Sequence, residues 1–148
     1  MNFPEVTAID ISDRAIAVAK ENAALQKVKV DFQTADALDL GAALTAKYDI
    51  IVSNPPYVMD KEKSAMDANV LDHEPAIALF VPDSDPLKFY KAIADYAADA
   101  LTDGGRLYFE LNPLTADCLK DWMQQSGWRD VSLLPDLHAK TRFMIARK

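Results

Sequence analysis

The chain has 148 residues, 50% hydrophobic and 26% charged, which is enough for one globular domain with a real core. Sixteen Lys and Arg face 23 Asp and Glu, a formal charge of −7, which argues against a nucleic-acid backbone as the main partner because phosphate binding needs clustered cations. A lone cysteine, Cys118, excludes a disulfide framework and a cysteine metal cluster. No apolar run is long enough to span a membrane and no signal peptide is visible, so a reducing cytoplasm is the expected compartment.

The first elements alternate. Val6-Thr7-Ala8-Ile9-Asp10 reads as a short buried strand that ends on an acid. Ser12 can cap a helix over about 13–26, with Asp13 in its first turn and Ala15, Ile16, Val18, Ala19 and Ala23 as its apolar face. Val28, Val30 and Phe32 then alternate with Lys29, Asp31 and Gln33 as a half-exposed strand. Asp36 follows in a loop, and an amphipathic stretch from Leu38 to Leu44 leads onward. A carboxylate at a strand tip, here Asp10, can accept from both hydroxyls of a ribose, or it can simply cap the next helix. Asp36 can accept from an adenine amino group.

Tyr48-Asp49-Ile50-Ile51-Val52-Ser53 has the pattern of a strand buried on both faces. Pro55 and Pro56 end it, since neither offers a backbone donor to a sheet ladder. Asn54 is therefore placed where a strand opens into a loop, the end of an open α/β sheet at which ligands bind. The Asn54 side-chain oxygen and the Pro55 carbonyl can together accept two hydrogen bonds from one NH2 group. Pro56 helps to fix that carbonyl, and Tyr57 offers a flat face for a planar amide or base. Asn-Pro-Pro-Tyr can also be no more than a turn. Asp10, Asp36 and Asn54, ending three successive strands, make a more specific set than any one of them.

Residues 58–85 show no clear periodicity, and Asp60-Lys61-Glu62-Lys63 reads as a solvated cluster. Within them, His73-Glu74-Pro75-Ala76-Ile77-Ala78-Leu79 looks ordered and is expected to pack back near the site. Leu87, Tyr90, Ala94, Ala97 and Leu101 form a helical stripe, with Asp103-Gly104-Gly105 expected as its stop. Leu107, Phe109 and Leu111 predict a strand. Leu119, Trp122 and Met123 predict an inward helix face over about 115–126, closed by Gly127, with Cys118 as a packed residue. Two short strands around 131–134 and 142–146, with no helix between them, are expected to pair antiparallel. Strands alternating with helices imply an α/β fold with a mostly parallel sheet.

These residues resemble a known family, the S-adenosylmethionine-dependent methyltransferases that methylate a glutamine side-chain amide in peptide-chain release factors. The resemblance covers essentially the whole chain and rests on Val6 to Ser12, Ile51 to Tyr57, His73 to Leu79, Asp103 to Glu110, and Asp136 with Arg142. The Asn-Pro-Pro-Tyr piece is shared with DNA and RNA amino-methyltransferases, whereas its combination with Glu74-Pro75 is more specific. The resemblance implies a Rossmann-like methyltransferase sheet, S-adenosylmethionine as cofactor, and a release factor as protein substrate. It makes Asp10 and Ile11, Asp36 and Ala37, and Asn54 the cofactor contacts. Asn54, Pro55, Pro56 and Tyr57 form the catalytic pocket, and Glu74 and Pro75 the substrate loop; no metal is implied.

The departures are informative. Ala37 stands where the family has an aromatic residue, Glu110-Leu111-Asn112 where it has Glu-Ile-Gly, and Leu137-His138-Ala139-Lys140 where a glycine is expected. The family's first central strand and its glycine-rich loop have no counterpart, since the four glycines are at 41, 104, 105 and 127. Residues 1–148 are accordingly expected to form one N-terminally truncated catalytic domain. The exposed inner strand edges would then be open to a second copy of the chain. A nucleic-acid amino-methyltransferase and a fragment unable to hold cofactor are the alternatives.

Overall fold

A computed structural model of the chain describes residues 4–43, 46–66, 69 and 74–148. Their contacts fall into two compact units, Met1–Leu44 and Thr45–Lys148.

In the first unit, β1 (Thr7–Asp10) is followed by α1 (Asp13–Gln26), β2 (Asp31–Thr34) and α2 (Leu40–Ala43). Ser12 caps α1 as expected, its hydroxyl accepting from the Ala15 N–H at 3.2 Å. Lys27, left-handed at φ 56°, ends the helix, and Val28 N–H donates back to the Ala23 carbonyl at 3.0 Å. That cap consumes the start of the expected strand, so pairing begins only at Asp31, and Val28 is left exposed. β1 and β2 pair parallel, Thr7 opposite Asp31 through Asp10 opposite Thr34, as a two-stranded sheet. Of the α1 apolar face only Ile16 is buried, and Val18 is exposed.

The second unit runs β3 (Tyr48–Ser53), β4 (Val58–Met59), a 3-10 turn (Asp60–Ala65), α3 (Ala76–Leu79), β5 (Phe80–Val81) and α4 (Lys88–Ala100). It continues with β6 (Leu101–Glu110), a second 3-10 turn (Pro113–Thr115), α5 (Ala116–Gln125), β7 (Arg129–Pro135) and β8 (Thr141–Arg147). Four strands lie in the order β3-β6-β8-β7. β3 and β6 are parallel, whereas β8 runs antiparallel to both of its neighbours, which is the expected arrangement of a helix-free C-terminal pair.

The core lies on one face of that sheet. Leu107 and Phe109 of β6 and Met144 and Ala146 of β8 are buried with Tyr90, Ala94 and Ala97 of α4 and Leu119 and Met123 of α5. Tyr90 meets the Phe109 ring edge-on at 5.1 Å. Tyr90, Ala94 and Ala97 of the expected stripe are thus a buried helix face, whereas Leu87 lies at the N-cap of α4 and Leu101, also buried, already belongs to β6. Cys118, on the other side of α5, is exposed rather than packed.

The opposite face departs from expectation. Ile50 is 58% and Val52 74% exposed, so β3 is covered on one face only. Ile50 and Val52, two apart in the strand, share the face of β3 that lies away from the buried core, and among the described residues of the unit β3 pairs with β6. A continuous apolar run records what a strand can bury and leaves open what actually covers it. Replacing both Ile50 and Val52 by Thr is expected to leave the melting temperature unchanged. It should also lower self-association in light scattering at high concentration, because bare apolar surface associates.

Gly104 and Gly105 do not stop α4 either. Leu101 is already extended (φ −75°, ψ 145°) and begins β6 directly. From Tyr48 opposite Leu101 to Ile50 opposite Arg106, β6 carries three more residues than β3. Gly104 sits in that bulge at φ +79°, and a Cβ on Gly105 would lie 2.9 Å from the Thr102 carbonyl oxygen. The glycines shape a strand irregularity; α4 ends without them. Gly127, at φ +89°, does follow α5 as expected.

The β7–β8 connection is organised by Asp136. Its Oδ1 accepts from the His138 and Lys140 N–H groups at 2.8 and 3.0 Å, and Arg142 Nε lies 3.8 Å from Oδ2. The backbone donors, chiefly Lys140, hold the Asp136 carboxyl below its usual range. Its stabilisation is therefore present above the unfolded pKa and is lost as pH falls through the folded value. Acid titration of wild type against Asp136→Asn should show that loss in wild type only. Ala139 occupies the left-handed region at φ 60° in this turn, where the family resemblance leads one to expect glycine. Ala139→Gly should raise stability by about 0.5–1 kcal/mol in denaturant unfolding, through relief of Cβ strain.

Candidate active site

Ser53 pairs with Phe109 at the carboxyl end of the parallel β3–β6 ladder, and the prolines then release the chain. Asn54 is exposed and Pro55 buried. Among the described residues, no hydrogen bond engages the Asn54 side chain or the Pro55 carbonyl, and of the two residues Asn54 is the exposed one. Asn54 stands at the rim of an apolar cleft of about 510 Å³ lined also by Val52, Tyr108, Glu110 and Phe143.

Tyr57 is half-buried, and its hydroxyl donates to Glu110 Oε1 at 2.9 Å. Burial, then the hydrogen bond and charge of Glu110, push its phenol up, so it remains a donor. The Tyr90 hydroxyl donates to the Glu110 backbone carbonyl at 3.2 Å. Asn112, 3% exposed, donates through Nδ2 to the Tyr57 carbonyl at 3.1 Å and to Glu62 Oε2 at 2.8 Å. Glu62 Oε2 also accepts from the Met59 N–H at 2.9 Å. The sequence alone singles out neither Glu62 nor Asn112 as a partner of this loop. Glu62 looked like surface charge, and Asn112 like a substitution for glycine.

The segment 58–85 carries structure that lacks any periodic signal. Val58 pairs with Phe80 and Met59 with Val81 in a short parallel ladder, with Met59 and Val81 buried. β4 follows Tyr57 directly, and β5 follows the segment that contains Glu74 and Pro75. Two-residue strands are too short for hydrophobic alternation to register. Glu74 and Pro75 are exposed, and α3 is largely exposed too, with Ile77 65% accessible, so this segment does not pack back as expected. His73 lies outside the described residues.

In the first unit, Asp10, the last residue of β1, and Asp36, just beyond the carboxyl end of β2, are both exposed. Asp10 Oδ1 accepts from the Ser12 N–H, and Asp36 Oδ1 from the Leu38 N–H, each at 2.8 Å. Asp10 is thus a turn-capping acid, yet the second oxygen of each carboxylate has no partner among the described residues. Ile11 is exposed and Ala37 half-buried beside them. A carboxylate with a free oxygen next to apolar surface suits a ribose hydroxyl or a purine amino group. Among the described residues, no group of three or more His, Cys, Asp or Glu could hold a metal, and no helix is long and apolar enough to cross a membrane.

Residues 2–76 match the family described as Methyltransferase small domain. The chain belongs to that family. It is 42% identical to a release factor glutamine methyltransferase of Bacteroides thetaiotaomicron over 99% of its own length and 54% of that protein. The corresponding enzyme of Flavobacterium psychrophilum is 39% identical over 97% of the chain and 50% of that protein. The chain therefore spans about half the length of the curated relatives it matches. A methyltransferase from Pyrococcus furiosus superposes with a TM-score of 0.71 at 16% identity, covering 97% of this chain and 62% of that one. A Streptococcus mutans protein solved in complex with SAH gives 0.64 at 14% identity, covering 97% and 76%. These likenesses show the fold, a Rossmann-like α/β methyltransferase sheet.

Proposed function

We propose that residues 1–148 act as one catalytic domain that methylates the side-chain amide nitrogen of a glutamine in a protein, a peptide-chain release factor, with S-adenosylmethionine as donor. The observation that carries this reading is the pair of unengaged acceptors, the Asn54 amide oxygen and the Pro55 carbonyl, where β3 opens into its loop. The names of the relatives support the protein substrate, and the SAH-bound neighbour supports the cofactor.

Bound S-adenosylmethionine supplies an electrophilic methyl on a sulfonium sulfur. Asp10 and Ile11 would hold its ribose side, and Asp36 and Ala37 its adenine. The remaining work belongs to the loop. An amide nitrogen is a weak nucleophile because its lone pair is delocalised into the carbonyl. Hydrogen bonds from both N–H groups to the Asn54 side-chain oxygen and the Pro55 carbonyl raise the electron density on nitrogen and fix its orientation. Pro55 and Pro56 stiffen that acceptor, so little order is lost on binding. Tyr57, anchored by Glu110, offers its ring to the amide plane. Glu74 and Pro75, exposed ahead of α3, are free to meet the substrate chain. A tuned general base is not required before transfer, because the N–H becomes strongly acidic only once the nitrogen carries the methyl, and that proton is then lost to water.

Incubation with S-adenosylmethionine and a release-factor fragment, followed by fragmentation mass spectrometry, tests the reading. A methyl on the glutamine amide supports it. Methylation of DNA or RNA amino groups in its place would overturn it in favour of the nucleic-acid enzymes. No transfer to either, with no cofactor binding, would make this chain a non-catalytic fragment.

A further inference from the structure

We infer that Asn112 and Glu62 form a clamp that positions the acceptor loop: they fix the Tyr57 carbonyl and, through it, the Pro55–Pro56 segment. The functional half of this inference rests on the methyl-transfer reading; the structural half does not. Asn112 is the only buried polar residue besides Thr115 among the described residues. Every polar group of its side chain is engaged. One Nδ2 hydrogen goes to the Tyr57 carbonyl and the other to Glu62 Oε2, while Oδ1 accepts from the Leu114 N–H at 3.0 Å. Glu62 Oε2 closes back onto the Met59 N–H. Three segments therefore meet on one amide: the exit of the Asn54–Tyr57 loop, the 3-10 turn after β4, and the turn after β6.

The arrangement has a chemical polarity. Asn112 donates to two acceptors, the Tyr57 carbonyl and the Glu62 carboxylate, of which the second is also tied to the Met59 N–H. A buried donor facing an anion makes a stronger bond than a neutral pair, and its removal deprives the Tyr57 carbonyl of this donor and leaves Glu62 Oε2 with the Met59 N–H alone. The glycine that the family resemblance leads one to expect here carries no such group. The clamp is thus a property of this chain's own Glu110-Leu111-Asn112 segment, and β6 is the rigid element that carries it. Neither residue touches the reacting nitrogen, so both are positioning residues.

The test uses the 148-residue chain with Asn112→Asp, alone and combined with Glu62→Gln. The single substitution keeps shape but turns both donors into an acceptor facing a carbonyl and a carboxylate. Amide hydrogen exchange in 54–66 should speed up by about tenfold or more, while α4, β6 and β8 keep wild-type protection. The increase should shrink on acidification, as the two facing carboxyl groups come to share a proton. The double variant should recover part of the protection, since the amide introduced at 62 can donate to the carboxylate introduced at 112. In the methyltransfer assay the single variant should lose about tenfold in kcat, with KM for S-adenosylmethionine unchanged. Wild-type exchange in 54–66, or faster exchange spread evenly over the unit, would overturn the clamp. Local loosening with unchanged kcat in an active enzyme would overturn its positioning role. If the wild type transfers no methyl, the proposed function fails, and the exchange measurement still decides the clamp.

Discussion

Asn54→Ala is expected to lower kcat for methyl transfer to glutamine by about 10²–10³-fold, the usual loss when one preorganised polar contact to the reacting group is removed. The fold should be indifferent. Asn54 is exposed and its side chain makes no hydrogen bond among the described residues, so circular dichroism and melting temperature should match wild type. Asn54→Asp separates acceptance from shape. It keeps an oxygen able to accept from the amide N–H and should retain more activity than the alanine variant. Equal loss in both would point to the Asn54 NH2 group as the working part, contrary to the assigned role. Tyr57→Phe is not an equivalent experiment, because it also breaks the bond to Glu110.

The second large effect is expected at Asp10. Two hydroxyl hydrogen bonds to one carboxylate should be worth on the order of 10²-fold or more in cofactor affinity, read by calorimetric titration with S-adenosylmethionine. Asp10→Asn is the cleaner change. It keeps an oxygen for the Ser12 N–H, which Asp10→Ala would also sacrifice, weakening the turn ahead of α1. Reduced affinity in both variants assigns the loss to the carboxylate, whereas reduced affinity in the alanine variant alone assigns it to the turn. With cofactor saturating, kcat should change little, because Asp10 is assigned to the ribose rather than to the amide nitrogen.

What the sequence revealed and what it hid follow from the range of each signal. The Ser12 cap and the Tyr90, Ala94 and Ala97 part of the helical stripe are local patterns that stand in the structure, whereas Leu101 begins β6. So does the antiparallel C-terminal pair, which follows from the lack of room for a crossover. The errors arise where a residue type is compatible with two environments. Val52 suits a covered strand and is bare; Gly104 suits a helix cap and forms a bulge; Cys118 suits a core and faces out. At the site, Asn54, Pro55 and Tyr57 were legible because prolines after an apolar run mark a strand end. Glu62 and Asn112 were not, because their roles are set by a contact across 50 positions of sequence. No periodicity reports such a contact.

The central claim is that Asn54 and Pro55 accept a hydrogen bond from each N–H of a side-chain amide. The most direct measurement offers the protein two otherwise identical release-factor peptides, one with glutamine and one with glutamate at the acceptor position, in the presence of S-adenosylmethionine. Methyl on the glutamine nitrogen and none on the glutamate peptide is the predicted result. Comparable methylation of the glutamate carboxylate would contradict it, since that group has no N–H to donate.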